Sequence, residues 1–341
     1  MLTTLPILDL SLLDQGELAA NQFREQLRRA THEVGFFYLI GHGISTEKIL
    51  SLFEESKAFF NLPLEEKLKL EMIHSPQFRG YTRTGREYTQ GKIDWREQID
   101  IGPEQPVSNH PNQANYLRLE GPNLWPARLP HFKEIFLSWQ KQCMQIGLKL
   151  MRSWALALGS PENIFDSAFQ ENPYPLIKLV KYPGQKNQGQ GVGAHKDPGV
   201  LTLLMIEPDK GGLQVQYQDK WIDVKPLTDA FVVNIGELME YATNGYLKAT
   251  MHRVVSPQEG ETRLSIPFFF NPRLDATFPT LKLPDELAQE ASGITQDPQN
   301  IITGTCGENV LKARLRAHPD VAAKFHADIL PKTKPVGHSA Y

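Results

Sequence analysis

The stretch GVGAHKDPGVLTLL, residues 191–204, carries a histidine and an aspartate two positions apart in a run that otherwise reads as a buried strand. Side chains alternate across a strand, so His195 and Asp197 share one face while Lys196 points to the other. A carboxylate at such a place is costly to bury unless it has a partner. The pattern by itself says little, because His-x-Asp also occurs at His318/Asp320 and His326/Asp328. Those two pairs lie in LKARLRAHPDVAAKFHADIL, whose spacing is helical with a proline interruption, and positions i and i+2 do not share a helix face. They are expected to be packing or surface residues. A third group sets the first pair apart: His252 opens HRVVSP, another strand-like segment, and is the only other histidine between residues 132 and 317.

Two histidines and one carboxylate form the facial triad of non-haem iron(II), which leaves adjacent coordination positions open. The ferrous site keeps residual positive charge and attracts an anionic co-ligand. RLSIPFFF offers that anion a second anchor, with Arg263 and Ser265 on one strand face and Leu264 and Ile266 on the other. A buried arginine needs a negative partner, and its guanidinium fork suits a carboxylate. Read singly, each motif has a plainer explanation: a mutually hydrogen-bonded His and Asp, or an arginine paired with a neighbouring acid. Together they describe a site for a small acid that chelates iron at one end and is held at the other, which is the shape of 2-oxoglutarate.

The chain has 341 residues, 40% hydrophobic and 22% charged, enough for a large core. A formal net charge of −3 supplies no footprint for nucleic acid or an anionic membrane, so a small-molecule partner is expected. Two cysteines, Cys143 and Cys306, form no CxxC pair, which fits a reducing, cytoplasmic location without disulfides or a thiolate zinc site. The start, MLTTLPILDLSLLD, lacks the pattern of a secretory signal, and no run of about 18 apolar residues suggests a membrane span.

Helical spacing is expected over residues 17–34, 46–60 and 131–159, with an apolar strand in GFFYLIGHG at 35–43. The polar, Gly- and Pro-punctuated region 76–130 reads as a covering or binding segment. Within it, Arg79, Tyr81, Arg83 and Arg86 are candidates for a polar substrate wall, which would favour an acidic substrate. Residues 176–270 change to short β-rich runs, predicting a pair of sheets, and Phe268 is a candidate lining residue. The tail from about 285 returns to helical spacing, so a β core wrapped by helices from both ends is expected.

At these motifs the sequence resembles the iron(II)/2-oxoglutarate-dependent oxygenase superfamily, in the branch similar to isopenicillin N synthase. The likeness runs through LPILDLS, EVGFFYLIGHG, KAFFNLPLEEK, RGY and NLWP, then the His-x-Asp segment, GGLQV, VVNIGELMEYATNGYLKATMHRV and RLSIPFFFNP, in family order over residues 5–275. It implies a mixed α/β chain with a double-stranded β-helix (jelly-roll) core. It divides the chain into an N-terminal dioxygenase module (1–130), a long packing-helix region (131–170), the jelly-roll core (171–275) and a C-terminal helical cover (276–341). It further implies Fe(II) held by His195, Asp197 and His252. Arg263 and Ser265, joined by Tyr182, would then hold the distal carboxylate of the co-substrate 2-oxoglutarate, and O2 is the oxidant. Succinate and CO2 would accompany hydroxylation, desaturation or ring closure of a small molecule.

This sequence departs from the branch at Val180, where several 2-oxoglutarate users carry asparagine two residues before the tyrosine, and at Gly41, His42 and Gly43, where N-H-G is usual after the first strand. His42 is read as structural. Three rivals follow from the same residues: an iron oxidase that does not use 2-oxoglutarate, a non-catalytic small-molecule binding protein, and a zinc hydrolase. No H-E-x-x-H helix supports the last.

Overall fold

The alternating apolar runs assemble into two principal sheets, seen in a computed structural model that describes residues 4–108, 113–294 and 301–330. The first three residues of the N-terminal reading and residues 331–341 of the expected C-terminal cover lie outside the described residues. The larger sheet has eight strands. In spatial order they are β1 (Ile7–Asp9), β2 (Phe36–Ile40), β12 (Phe231–Ile235), β9 (Leu201–Ile206), β14 (Thr262–Phe270), β7 (Leu176–Pro183), β6 (Glu97–Ile101) and β3 (Gly80–Thr82). The smaller sheet orders β11 (Lys220–Asp223), β10 (Leu213–Tyr217), β13 (His252–Val255) and β8 (Gln190–His195). A hairpin, β4 (Tyr88–Thr89) and β5 (Lys92–Ile93), stands apart.

Period-two alternation decides which core each strand side chain joins. On β2, Phe37 and Leu39 enter the main hydrophobic core, while Phe36 and Tyr38 enter a smaller cluster with Val192, Val215 and Val254 of the second sheet. On β14, Leu264, Ile266, Phe268 and Phe270 all join the main core. The segment before residue 130 is woven into the same large sheet: β2 pairs with β12 and β6 with β7, both antiparallel.

Helices cover the outer face of that sheet. They are α1 (Glu17–Glu33), α2 (Thr46–Phe60) and α3 (Phe132–Ala157), where helical spacing is expected. The longest, α3, buries Phe136, Trp139, Cys143, Ile146, Leu150 and Trp154, one stripe at steps of three and four. Gly147 on that stripe lets the helix approach the sheet, because a Cβ there would lie 2.4 Å from the Phe270 ring. Two further helices, α4 (Cys306–Ala317) and α5 (Pro319–Phe325), end the described chain. Among the described residues no helix is long and apolar enough to cross a membrane.

Candidate active site

The strand expected through residues 191–204 is interrupted: β8 stops at His195 and β9 resumes at Leu201. Pro198 has no N–H for a ladder, so Asp197 lies on the connecting turn. That turn is anchored by Asp197 O, which accepts from Glu237 N at 2.7 Å, and by Val200 O, which accepts from Gly236 N at 2.9 Å. His252 begins β13 and sits opposite His195 in the β13–β8 register. Asp197 Oδ1 is thereby 3.5 Å from His195 Nε2 and 3.7 Å from His252 Nε2. Ligand atoms of all three lie within 4.8 Å of one another, a group able to hold a metal ion.

Surrounding hydrogen bonds orient the three donors. His195 Nδ1 donates to Gly193 O at 2.8 Å, and His252 Nδ1 donates to Thr250 O at 3.0 Å. A carbonyl only accepts, so each Nδ1 carries the proton and each Nε2 keeps its lone pair for a ligand role. Asp197 Oδ2 accepts from Thr202 Oγ1 and, at 2.8 Å, from Asn234 Nδ2, which leaves Oδ1 toward the histidines. Burial pushes the His252 pKa down to about 4, assisted by His195. Burial opposes ionisation of Asp197, yet the neighbouring histidines and the Asn234 donor hold it well below the usual carboxylate range. For His195, burial acts downward, but the Asp197 hydrogen bond and charge outweigh it and raise the pKa. A neutral imidazole at His252 and an ionised Asp197 are the forms that bind a divalent cation.

The cavity bordered by this triad also meets Arg263, Ser265 and Tyr182. Arg263 and Ser265 share a face of β14, with Nη1 donating to Ser265 Oγ at 3.3 Å, and the guanidinium lies 4.9 Å from the centre of the Tyr182 ring. Arg263 is 1% exposed, and its Nε and Nη2 donors have no hydrogen-bond partner. Among the described residues no carboxylate hydrogen-bonds these two donors. Unfilled buried donors of a cation at a cavity edge are what a ligand carboxylate would satisfy. Val180 follows the same strand face but packs in the smaller apolar cluster.

The structure corrects the expected substrate wall. Arg79 is buried away from the cavity with its guanidinium 4.9 Å from the Tyr174 ring centre, and Tyr81 donates to Glu97 Oε2 at 2.7 Å. Arg83 is tied to Glu71 at 2.7 Å, and Arg86 is exposed. None of the four borders the cavity. Phe268 faces the helices, and of the three phenylalanines that end β14 it is Phe269 that borders the cavity. Strand parity counted from Arg263 and Ser265 selects Phe269, since 263, 265, 267 and 269 share a face.

The cavity wall instead uses Glu87, Arg96 and Lys178, together with Arg314 of α4. Two signals for them are visible in the sequence. REQIDI alternates Gln98 and Asp100 with Ile99 and Ile101, which puts Arg96 on the polar face, and Lys178 stands within the apolar strand LIKLVKYP. The C-terminal tail supplies Val310, Ala313, Arg314 and Ala317, one face of α4, as a wall of the same cavity. His318 and His326 are buried: His318 Nε2 lies 3.7 Å from Glu87 Oε1, and His326 stacks on Phe78 with ring centres 5.0 Å apart. His42 donates or accepts only toward backbone, 2.9 Å from Asp229 O and 3.2 Å from Ile44 N.

A jelly-roll core with a buried His/Asp/His group beside an unsatisfied arginine is the architecture of a non-haem iron oxygenase. Residues 5–128 match the family described as the non-haem dioxygenase in morphine synthesis N-terminal region, and residues 172–272 match the 2OG-Fe(II) oxygenase superfamily. A 2-oxoglutarate-dependent dioxygenase, frbJ, of Dothideomycetidae sp. is 36% identical over 340 residues, covering 94% of this chain and 92% of the relative. A homoarginine-6-hydroxylase of Arabidopsis thaliana is 35% identical over 297 residues, covering 82% and 88%. Among solved structures, a full-length Neurospora crassa protein in complex with alpha-KG and thymine superposes with a TM-score of 0.73 at 27% identity, covering 94% of this chain and 97% of that one. The chain belongs to the 2OG-Fe(II) oxygenase superfamily. It is an Fe(II)- and 2-oxoglutarate-dependent dioxygenase that uses O2, and the oxidase that dispenses with 2-oxoglutarate is not favoured.

Proposed function

We propose that His195, Asp197 and His252 hold the iron, and that Arg263, Ser265 and Tyr182 receive the distal carboxylate of 2-oxoglutarate while a small acidic molecule is oxidised at a C–H bond. The bound metal would supply O2 activation, with one oxygen atom passing to succinate as CO2 leaves and the other consumed in oxidising the substrate. The chain's own groups orient and exclude. The Gly193 and Thr250 carbonyls fix the imidazole tautomers, Asn234 and Thr202 aim the Asp197 carboxylate, and Phe269 and Leu204 keep the cavity wall apolar.

The single observation that carries this reading is the pair of unfilled Arg263 donors in the cavity that also holds the His/Asp/His group. Relatives acting on homoarginine and on 1-aminocyclopropane-1-carboxylate support a small substrate that contains a carboxylate. The cavity wall also presents Arg96, Lys178 and Arg314 with Glu87 among them, a lining of mixed charge that suits a polar substrate, in place of the loop arginines. The test is an anaerobic titration of the iron-loaded protein with 2-oxoglutarate, following the visible metal-to-ligand charge-transfer band. The band should form, and Arg263→Gln should need about tenfold or more 2-oxoglutarate to reach it. An equal titration midpoint in the variant would remove Arg263 from this role.

A further inference from the structure

Part of the cavity wall is a row of buried charges with alternating sign. Arg96 Nη2 lies 3.1 Å from Asp94 Oδ2 and 3.0 Å from Glu87 Oε2. Lys178 Nζ lies 3.0 Å from Glu87 Oε1 and 3.2 Å from Asp100 Oδ1, and Arg314 Nη1 lies 2.7 Å from the same Asp100 oxygen. No side chain in the row is more than 10% exposed. Glu87, Arg96, Lys178 and Arg314 border the cavity, while Asp94 and Asp100 stand behind them. Each buried ion costs several kcal/mol of desolvation, and apolar residues of similar volume commonly serve stability as well or better. A role toward a ligand explains why the cavity keeps both signs.

The row is also incompletely satisfied. Glu87 Oε2 accepts no hydrogen bond of good geometry despite its nearness to Arg96, and Arg96 Nε donates none. An acid and a base therefore stand side by side with spare capacity of opposite kinds. A purely anionic ligand would meet the Glu87 carboxylate, and an apolar one would leave both valences unpaired. An ammonium and a carboxylate on one carbon present the complementary pair at matching proximity.

We infer that the substrate is a free α-amino acid, its carboxylate taken by Arg96 and its ammonium by Glu87. This rests on the oxygenase reading of the same cavity and narrows its substrate class. The pair acts on substrate, whereas Arg263 serves the co-substrate, so the two assignments separate experimentally.

Iron-loaded protein with 2-oxoglutarate and O2 is assayed for succinate with the common L-amino acids and L-homoarginine, each against its methyl ester and N-acetyl derivative. The expected result is that a free amino acid stimulates succinate release, and that its ester and N-acetyl forms lose about tenfold or more in kcat/KM. Glu87→Gln should raise KM for the free amino acid by a similar factor, with a much smaller change in KM for 2-oxoglutarate. Equal rates with the blocked derivatives would overturn the assignment without reference to any variant. So would silence of the whole panel in protein that still forms the 2-oxoglutarate charge-transfer band. Failure of that band would instead sink the oxygenase reading beneath it.

Discussion

The Asp94 carboxylate accepts the backbone N–H of Gly193 at 3.1 Å, and so ties the segment before β6 to the strand that ends at His195. Its Oδ1 also accepts from Gln190 Nε2 at 3.0 Å. Its Oδ2 accepts from Thr89 Oγ1 at 2.7 Å and from Arg96 Nη2 at 3.1 Å. One buried carboxylate thus joins the hairpin, the charged wall and the histidine-bearing strand. Asp94→Asn keeps one acceptor oxygen and no charge, so either the strand or Arg96 loses its anchor. We expect a stability loss on the order of 3 kcal/mol together with a fall in kcat/KM. Denaturation and steady-state kinetics on one preparation check this; a stability loss with unchanged kcat/KM would reduce Asp94 to a structural role.

Asn234 aims Asp197 by donating to Oδ2 at 2.8 Å. Asn234→Ala frees that carboxylate to rotate. Iron affinity should fall by about 10–100-fold, the usual effect of losing such a partner, while the fold persists. An Fe(II) titration reads this directly, and an unchanged midpoint would mean that Thr202 alone holds the carboxylate.

His318 is enclosed by Glu87, Lys178, Asp100 and Arg314, and burial pushes its pKa down to about 4. An unfolded histidine titrates near ~6.5. Between those values the unfolded chain binds a proton that the folded chain refuses, so stability present at neutral pH declines as pH falls through this window. His318→Gln lacks the titration and should lose less of its thermal midpoint between pH 7 and pH 5. Parallel pH profiles for the two proteins would assign the acid sensitivity elsewhere.

Gly147 sits where α3 crosses β14, and a methyl group there would lie 2.4 Å from Phe270 Cδ2. Phe270 is itself stacked on Phe169 at 4.3 Å between ring centres, so its ring has little room to retreat. Gly147→Ala gains helix propensity but overpacks the core, and a net loss of about 1–3 kcal/mol is expected. Urea unfolding should show a lower midpoint at unchanged slope. An equal or higher midpoint would show that the sheet yields to the helix.

Much of this protein was legible before any coordinate. Period-two alternation separated Arg263 and Ser265 from Leu264 and Ile266, and helical spacing anticipated α1, α2 and α3, because both patterns depend on geometry within a single element. The side chains of His195, Asp197 and His252 were singled out by type and context, since few arrangements leave two histidines and an acid in apolar β segments. Phe269 follows from the same parity, since positions 263, 265, 267 and 269 share a face.

What only the tertiary structure decided is which charges meet. Arginines at 79, 83 and 96 look alike in a polar, Gly-punctuated segment, yet Arg79 meets Tyr174, Arg83 meets Glu71 and Arg96 meets the cavity. Asp100 finds Arg314 across 214 positions, and α4 becomes a wall of the cavity only because that contact and its apolar face dock it there. Local periodicity carries no information about such pairings. They follow from the long-range closure of the sheets, which brings remote side chains to one surface and makes the burial of each charge depend on its neighbours.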